Sequence, residues 1–270
     1  MKITFLGGGN MANALIGGML KQGIAASGIT VLDPGSAARA RLAEIYAVDC
    51  LESAEMLDNI GDLLVLAVKP QQMKEAVAPL IGKLGHAVVV SIAAGLDLAT
   101  LSRFLGGHRK VVRCMPNTPA LIGAGITGLC ALPEVTPDER AAADRILSAV
   151  GSTVWIDDEG KMDGVTALSG SGPAYVFLFI EALQQAAAEL GFTPEQGRQL
   201  AIETVQGAAA LAAQSSDPAA LLRERVTSKG GTTEAALQMM AEKGVKEGII
   251  AGVKAAEARG RELGKLLGVA

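Results

Sequence analysis

Residues 164–190 read GVTALSGSGPAYVFLFIEALQQAAAEL, and this stretch separates two halves of the chain that have different sequence patterns. Residues 174–183 carry a single charge, Glu181, so the stretch predicts one long helix without a polar face. The Ser-Gly-Ser-Gly-Pro run before them predicts a kink, because Gly and Pro interrupt a regular helix. A helix that is apolar all round has to be buried. We therefore expect this helix to form a subunit interface that also borders a functional site.

The composition limits the classes of protein to consider. The 270 residues suffice for one large domain or two modest ones, and the net charge of −4 provides no basic surface for nucleic acid. The apolar runs stop well short of the ~20 residues that a membrane span needs, and the N-terminus has no secretory pattern. We expect a cytoplasmic protein. The three cysteines lack the spacing of a zinc site or a disulfide framework, so we expect buried or half-buried thiols.

The first glycines follow a short apolar run and precede a helical pattern. Residues 2–6 predict a strand, and the turn after them, Gly7-Gly8-Gly9-Asn10-Met11-Ala12, has the G-x-G-x-x-A spacing of a dinucleotide-binding turn. In that spacing Gly7 makes the bend, Gly9 admits a pyrophosphate, and Ala12 lets helix and strand pack closely. The alternative is a plain glycine turn. The position between a strand and a helix favours the cofactor site.

Asp33 ends the second predicted strand, residues 29–32. An acidic side chain there binds the adenosine ribose hydroxyls of a dinucleotide and repels a 2′-phosphate, which favours NADH over NADPH. The alternative is nearly as strong, because the aspartate of Asp-Pro-Gly commonly forms a turn and bonds only the backbone. Ser36 is the predicted cap of the next helix. Arg39 and Arg41 on that helix either soften the repulsion or are simply solvated.

Further apolar runs predict central parallel strands at residues 62–68, 87–92 and 110–114. They end in Lys69-Pro70, in Ala93-Ala94-Gly95 and in residues 115–119. Ligands of open α/β sheets bind outside the carboxyl ends of the strands, so these segments should line the nicotinamide end of a cleft. The one cation among them, Lys69, either contacts the ribose or phosphate of the cofactor or caps a carbonyl.

The strand signals end near residue 156. Residues 126–130 and 153–156 predict two more strands, and every pattern after them is helical. We therefore place a domain boundary near Gly160. The sequence predicts an α/β Rossmann-like domain with a mostly parallel sheet over residues 1–160. It predicts an all-α dimerisation and substrate domain over residues 161–270.

The only two histidines, His86 and His108, stand just before predicted strands. This position is the amino edge of the sheet, away from a cofactor, so a histidine acid for ketone reduction is not expected. We interpret both as surface loop residues.

A turn rich in glycine and hydroxyl groups, VTSKGGTT at residues 226–233, precedes a predicted helix. Its N–H and O–H donors suit a small carboxylate. The alternative is an N-cap box in which Thr-Thr-Glu caps the helix. Both interpretations can hold at once.

Taken in order, LGGGNMA, AVKP, VSIAAG, RCMPNTP, LSGSGPAY and TSKGGTT resemble the motifs of the pyrroline-5-carboxylate reductase family over essentially the full length. The resemblance implies an oxidoreductase that reduces 1-pyrroline-5-carboxylate to L-proline with NADH or NADPH, the last step of proline synthesis. It implies a homodimer, or a decamer built from dimers. It implies cofactor contacts at residues 7–12, Val68, Lys69, Pro70 and Ala94. It implies substrate contacts at Ser228, Gly231, Thr232 and Thr233.

Two positions depart from the family pattern. Asp33-Pro34 stands where the family often has an Asn or Ser with an Arg suited to a 2′-phosphate, which puts an NADPH preference in doubt. Lys229 stands where many members have Pro, and it adds a cation near the predicted carboxylate site.

Thr233 is the predicted catalytic residue. A protonated cyclic imine already carries the charge that draws a hydride, so we expect the Thr233 hydroxyl only to orient the ring N–H and to relay a proton. The rivals are another NAD(P)-dependent imine oxidoreductase and a β-hydroxyacid dehydrogenase. The second class relies on a lysine in the central helix, and residues 162–190 contain none. A nucleotide sensor without catalysis is a further alternative, against which the GGTT turn counts.

Overall fold

The computed structural model describes residues 1–269, which divide into two compact units. The first unit comprises Met1–Ser171 together with the residues from Ala256 onward, and the second comprises Gly172–Ala255. All strands of the described residues lie in the first unit, and the second is helical. The predicted domain limits at residues 160 and 161 remain a prediction, whereas the compact units divide just after the Ser-Gly-Ser run.

Within residues 1–269, one sheet contains eight strands. They are β1 (Ile3–Leu6), β2 (Ile29–Leu32), β3 (Asp49–Leu51), β4 (Leu63–Leu66), β5 (Val88–Ser91), β6 (Val111–Met115), β7 (Gly125–Ala131) and β8 (Gly151–Trp155). Their order is β3-β2-β1-β4-β5-β6-β7-β8. The strands β1 to β6 are parallel, β7 is antiparallel to β6, and β8 is parallel to β7. This confirms the predicted Rossmann-like domain with a mostly parallel sheet.

Eleven α-helices are present in the described residues. They are α1 (Asn10–Lys21), α2 (Ser36–Tyr46), α3 (Met73–Val77), α4 (Leu98–Phe104), α5 (Pro137–Leu147), α6 (Met162–Val165), α7 (Gly172–Glu189), α8 (Pro194–Gln214), α9 (Ala219–Arg225), α10 (Thr232–Glu242) and α11 (Val245–Val269). The helices α1, α2 and α5 pack on one face of the sheet, and α3, α4 and α6 pack on the other. Because both faces are covered, the central strands are almost continuous runs of Leu and Val.

Helix starts are capped in different ways. Thr193 and Gln196 form a reciprocal capping box at the start of α8. The cap predicted at Ser36 is wrong, because α2 begins at Ser36 itself and its N-cap is Gly35. The Gly35 N–H donates to the Asp33 carboxylate at 2.7 Å, so the aspartate holds the turn that precedes the helix.

The central helix is interrupted as predicted. Between α6 and α7 the chain forms a π-helical segment, Thr166–Gly170, followed by a bend at Ser171. The next turns expose large apolar side chains, with Phe177 64% and Leu178 66% accessible. One chain therefore does not bury this helix. By length and composition alone, the helical run Glu159–Glu189 would also suit a membrane span.

Candidate active site

Gly7 lies where β1 passes into the turn before α1. Its φ is +101°, and a Cβ atom there would lie 2.7 Å from the Ala67 carbonyl oxygen. Its N–H donates to the Leu32 carbonyl at 2.8 Å, which holds the turn against the end of β2. Only glycine adopts this conformation in this space without strain. The sharp bend expected at Gly7 is therefore present, while its role in binding a cofactor remains a prediction.

The start of α1 is open and lacks a side-chain cap. Gly9 is its N-cap residue, and a Cβ atom at Gly9 would meet no atom within 4 Å. Gly9 and Asn10 are exposed, whereas Met11 is half-buried. The first N–H groups of a helix have no helical acceptor, and the helix dipole is positive at this end. The residues present here fit a pyrophosphate.

Asp33 binds the backbone on both sides of the glycine turn. Its Oδ2 accepts the Gly8 N–H at 2.7 Å, and its Oδ1 accepts the Gly35 N–H at 2.7 Å. The turn-forming alternative for Asp33 is thus present, and the same carboxylate also orders the glycine turn. Its negative charge lies at the carboxyl end of β2, where the ribose of a dinucleotide would lie.

The two arginines of α2 bind backbone carbonyls beside Asp33. Arg39 donates to the Asp33 carbonyl at 2.7 Å and to Glu52 at 3.0 Å. Arg41 donates to the Gly8 carbonyl at 3.1 Å. Neither arginine forms a salt bridge with the Asp33 carboxylate in the described residues. Arg39 and Arg41 therefore offset the negative charge of the Asp33 carboxylate only partly, because their N–H donors bind other groups.

The segments after β4 and β5 leave the sheet at the same edge as the glycine turn. Leu66 pairs with Leu6 of β1 and with Ser91 of β5, so the three strands end side by side. Val68 and Pro70 are half-buried, whereas Lys69 and Ala94 are exposed. The structure thus brings the predicted cofactor residues to one edge. These are Gly7, Gly8, Gly9, Asn10, Met11, Asp33, Val68, Lys69, Pro70 and Ala94.

Both histidines lie at the opposite, amino edge of the sheet. His86 precedes β5 and is exposed, with its Nε2 3.9 Å from Asp62. His108 precedes β6 and is half-buried, because its Nε2 lies 2.8 Å from the Ala87 carbonyl oxygen. His86 is a surface residue, as predicted. His108 differs from the prediction, because it is half-buried and contacts the loop before β5. Neither can serve a reaction at the carboxyl edge.

The hydroxyl-rich turn lies in the second unit and opens α10. Gly230 has φ +72°, and the Gly231 N–H donates to the Ser228 carbonyl at 3.0 Å. Gly231 is the N-cap residue of α10, and no side chain caps this helix. The N-cap box predicted for Thr-Thr-Glu is therefore wrong. Glu234 instead accepts the Gly230 N–H at 2.6 Å, which fixes the turn from the other side.

The missing cap leaves hydroxyl donors uncommitted. Within residues 1–269, no hydrogen bond uses the hydroxyls of Ser228, Thr232 or Thr233, whereas the Thr227 hydroxyl donates to the Arg223 carbonyl at 2.6 Å. Ser228 and Thr232 are exposed, and Thr233 is half-buried. Free N–H groups and free hydroxyls at one helix start suit a carboxylate. The predicted substrate residues share this turn, and the predicted cofactor residues lie in the other unit.

The charged and reactive groups of the described residues give no sign of a metal site or a redox pair. No group of three His, Cys, Asp or Glu side chains could hold a metal ion there. All three cysteines are free, as predicted. Burial raises the pKa of the Cys130 thiol to about 12, and burial also raises the pKa of Cys50 and Cys114. The three thiols are therefore less ionised at neutral pH than an ordinary cysteine.

One charged residue in the sheet was not predicted. Arg113 lies in β6 with 6% of its surface exposed. Its guanidinium donates to Glu159 at 3.1 Å and to Asp163 at 3.3 Å, and Glu159 also accepts the Leu98 N–H at 2.7 Å. This network ties β6 and α4 to the start of the central helix. The sequence contains one sign of this network: the arginine in KVVRCM is a charged residue in a strand that is expected to be buried on both faces.

Two family models match the chain. Residues 159–263 match the family described as pyrroline-5-carboxylate reductase dimerisation, and residues 2–95 match that described as NADP oxidoreductase, coenzyme F420-dependent. The exposed apolar helix α7 falls inside the first match. Self-association therefore accounts for its exposed surface.

Proteins named pyrroline-5-carboxylate reductase are similar to the chain over its full length. The protein of Pseudomonas aeruginosa is 44% identical over 99% of this chain and 98% of its own, and that of Haemophilus influenzae is 40% identical over 97% of each. The solved reductase of Coxiella burnetii is 38% identical, with a TM-score of 0.92 over 97% of this chain and 98% of its own. The Plasmodium falciparum reductase, solved with NADP bound, is 29% identical, with a TM-score of 0.87 over 98% of each.

Proposed function

The chain belongs to the pyrroline-5-carboxylate reductase family, and we propose that the starts of α1 and α10 bind the two anionic groups of that family's reaction. The protein is an NAD(P)-dependent oxidoreductase that reduces 1-pyrroline-5-carboxylate to L-proline, the last step of proline biosynthesis. The observation that carries the proposal is that, among the described residues, each of these starts joins a missing side-chain cap to a second feature: the glycine turn at the carboxyl edge of the sheet for α1, and the free hydroxyls of Ser228, Thr232 and Thr233 for α10. A pyrophosphate fits the first start and a small carboxylate fits the second.

The cofactor site is assigned to the carboxyl edge of the sheet. The N–H groups of Gly9, Asn10 and Met11 face the pyrophosphate, and Gly7 and Gly8 supply the turn that presents them. The segments Val68-Lys69-Pro70 and Ala94 line the nicotinamide end. Support comes from the side-by-side ends of β1, β4 and β5 and from the general rule for ligands of open α/β sheets.

The substrate site is assigned to the turn before α10. The carboxylate accepts hydrogen bonds from the Ser228 and Thr232 hydroxyls and from the N–H groups of Thr232 and Thr233. The Gly231 N–H is bonded to the Ser228 carbonyl, so Gly231 contributes the shape of the turn. Lys229, which is exposed in the same turn, adds positive potential. Support comes from the free hydroxyls of this turn and from the positive φ of Gly230, which turns the chain into the helix.

Thr233 is the catalytic residue of the proposal. The reduced nicotinamide supplies the hydride when it is bound. The Thr233 hydroxyl accepts the ring N–H of the protonated imine and so fixes the face that the substrate presents. After reduction the same hydroxyl relays a proton between the product amine and water. No histidine takes part, since both lie at the amino edge of the sheet.

NADH is the proposed preferred cofactor. The Asp33 carboxylate lies at the end of β2 without a salt-bridged arginine among the described residues, so its charge opposes a 2′-phosphate. The sequence relatives and the NADP-bound relative establish a nicotinamide nucleotide and leave the preference between the two forms to experiment.

Self-association follows from the dimerisation match and from the exposed side chains of α7. Burying one such Phe or Leu side chain contributes about 1.5–3 kcal/mol, so a symmetric pair of α7 surfaces supplies a stable interface. We propose a homodimer, either alone or assembled into a decamer of dimers, and a cytoplasmic location. Sedimentation velocity of the purified protein distinguishes the dimer from the decamer.

The catalytic assignment is tested with matched threonine variants in one turn. Thr233→Ala should lower kcat/KM for 1-pyrroline-5-carboxylate by about 100-fold, the lower end of the usual range for a positioned proton-transfer group. Thr233→Ser keeps the hydroxyl and should retain most of the activity. Thr227→Ala is the control, because that hydroxyl is bonded to the Arg223 carbonyl. Equal activity of Thr233→Ala and the control would exclude Thr233 from catalysis.

A further inference from the structure

The last turns of α11 present three glycines at four-residue spacing, Gly260, Gly264 and Gly268. Residues four apart lie on one face of a helix. This face has almost no free space. A Cβ atom at Gly264 would lie 3.1 Å from the Gly95 carbonyl oxygen, and one at Gly268 would lie 3.3 Å from the Thr100 hydroxyl. The absence of side chains on this glycine face therefore lets the backbone of α11 lie directly against its neighbours.

The neighbour of this face is the loop that follows β5. Gly95, the residue after Ala94, has φ +77°, and a Cβ atom there would lie 3.3 Å from a methyl group of Leu267. The same point lies 3.8 Å from the Gly264 nitrogen and 3.9 Å from its Cα atom. Two backbones thus meet with no side chain between them. The position of the loop is set by the helix against which it lies.

The helix that follows this loop, α4, is fastened at both ends. At its start, the Leu98 N–H donates to Glu159 at 2.7 Å, and Glu159 is paired with the buried Arg113. At its end, Arg103 donates to the Gly268 carbonyl at 2.5 Å. An arginine at this place also interacts favourably with the negative end of the α11 dipole. The loop between β5 and α4 consequently has little freedom to move away from α11.

We propose that Gly264 and Gly95 are positioning residues for hydride transfer. Through their contact, the end of α11 fixes the loop that carries Ala94 and thereby fixes the place of the nicotinamide ring. This inference depends on the proposed cofactor site. A methyl group at Gly264 would displace the Gly95 carbonyl by a few tenths of an ångström, and displacements on the order of 1 Å cost about 100-fold in rate.

The experiment compares substitutions at two glycines of the same helix. Gly264→Ala should lower kcat/KM for NADH about 3- to 10-fold, and Gly264→Val about 100-fold. The KM for 1-pyrroline-5-carboxylate should change less than about twofold, because the substrate turn is in the other unit. Gly252→Ala and Gly252→Val are the controls, since a Cβ atom at Gly252 meets no described atom within 4 Å. Alanine favours a helix more than glycine does, so a loss at Gly264→Ala cannot come from a weaker helix.

A second measurement separates positioning from stability. With NADH deuterated at the transferred position, the primary isotope effect should rise in Gly264→Ala and stay at the wild-type value in Gly252→Ala. A lower melting temperature of Gly264→Ala with unchanged kcat/KM and isotope effect would show a merely structural contact and overturn the inference. If Gly264→Val does not fold, Gly264→Ala alone decides. An inactive wild-type protein would instead refute the proposed function.

Discussion

Replacing Asp33 by asparagine removes one negative charge from the end of β2 and keeps the shape of the side chain. The carboxylate accepts the N–H groups of Gly8 and Gly35, both at 2.7 Å. An asparagine can accept only one of them, because its NH₂ group is a donor. A hydrogen bond to a charged group contributes about 1.5–3 kcal/mol. Since Asp33 is half-exposed, we expect Asp33→Asn to lower the free energy of unfolding by about 1–3 kcal/mol.

The larger effect should fall on the choice of cofactor. A 2′-phosphate carries close to two negative charges. At a separation of about 5 Å and an effective dielectric constant of about 40, one carboxylate repels it by about 2–3 kcal/mol. This energy corresponds to roughly 30- to 150-fold in affinity, and salt screening reduces it. We therefore expect Asp33→Asn to raise kcat/KM for NADPH relative to NADH by at least about 10-fold.

The assay is the steady-state oxidation of each reduced cofactor at saturating 1-pyrroline-5-carboxylate, at low and at high ionic strength. The shift in preference should shrink as salt is added, because the repulsion is electrostatic. Asp62→Asn is the matched control: Asp62 also accepts a backbone N–H at 2.7 Å, from Lys2, but it lies at the amino edge of the sheet. An unchanged cofactor ratio in folded Asp33→Asn would refute the reasoning and leave Asp33 only its role in the turn.

Three other substitutions or reactions probe the same structure. Gly7→Ala places a methyl group 2.7 Å from the Ala67 carbonyl oxygen at a positive φ. It should lower the free energy of unfolding in urea by at least about 2 kcal/mol and weaken NADH binding, measured by fluorescence titration, about 10-fold or more. An unchanged NADH affinity would argue against the assigned cofactor turn. Arg113→Ala leaves two partly buried carboxylates unpaired and should cost about 3–5 kcal/mol in urea unfolding. Arg113→Met fills the space but also removes the ion pairs, so it should cost nearly as much; a loss below about 1 kcal/mol in Arg113→Met would show that the ion pairs contribute nothing. Burial raises the pKa of Cys130 to about 12, so its thiolate fraction at neutral pH is lower than that of an ordinary thiol. Iodoacetamide should therefore modify Cys130 roughly 1,000-fold more slowly in the folded protein than in urea, and it should modify Cys50 first. Fast labelling of Cys130 in the folded state would contradict its burial.

The sheet was largely predictable from the sequence because its central strands are long apolar runs. The predicted run at residues 87–92, for example, contains β5 (Val88–Ser91). The missed strand, β3, has only three residues, Asp49–Leu51, and none is fully buried. It exists through its pairing with β2, and such a tertiary contact leaves no periodic signal in a short segment.

Helix caps were less predictable because the residue at which a helix begins depends on how the turn before it is held. Ser36 and Thr232 each stand where a cap is expected, yet each is the first residue of its helix. Asp33 and Glu234 accept the backbone N–H groups that hold these turns instead. Which of two neighbouring acceptors binds an N–H depends on the path of the chain, and composition does not specify that path.

The apolar surface of α7 is not buried by a single chain. The sequence predicts a buried helix, and Phe177 and Leu178 are mostly exposed in the single chain. The dimerisation match over residues 159–263 accounts for the difference, since the second subunit supplies the missing cover. The sequence did not predict the buried ion pairs of Arg113, because its two acidic partners lie more than 40 positions away along the chain.

A crystal structure of the protein with NAD⁺ and L-proline tests the central claim most directly. We predict that the pyrophosphate lies at the start of α1, against Gly9 and Asn10, and that the proline carboxylate lies at the start of α10, bonded to Ser228 and Thr232. The proline nitrogen should lie within hydrogen-bond distance of the Thr233 hydroxyl. Proline bound away from the start of α10, or a pyrophosphate bound away from the start of α1, would contradict the account.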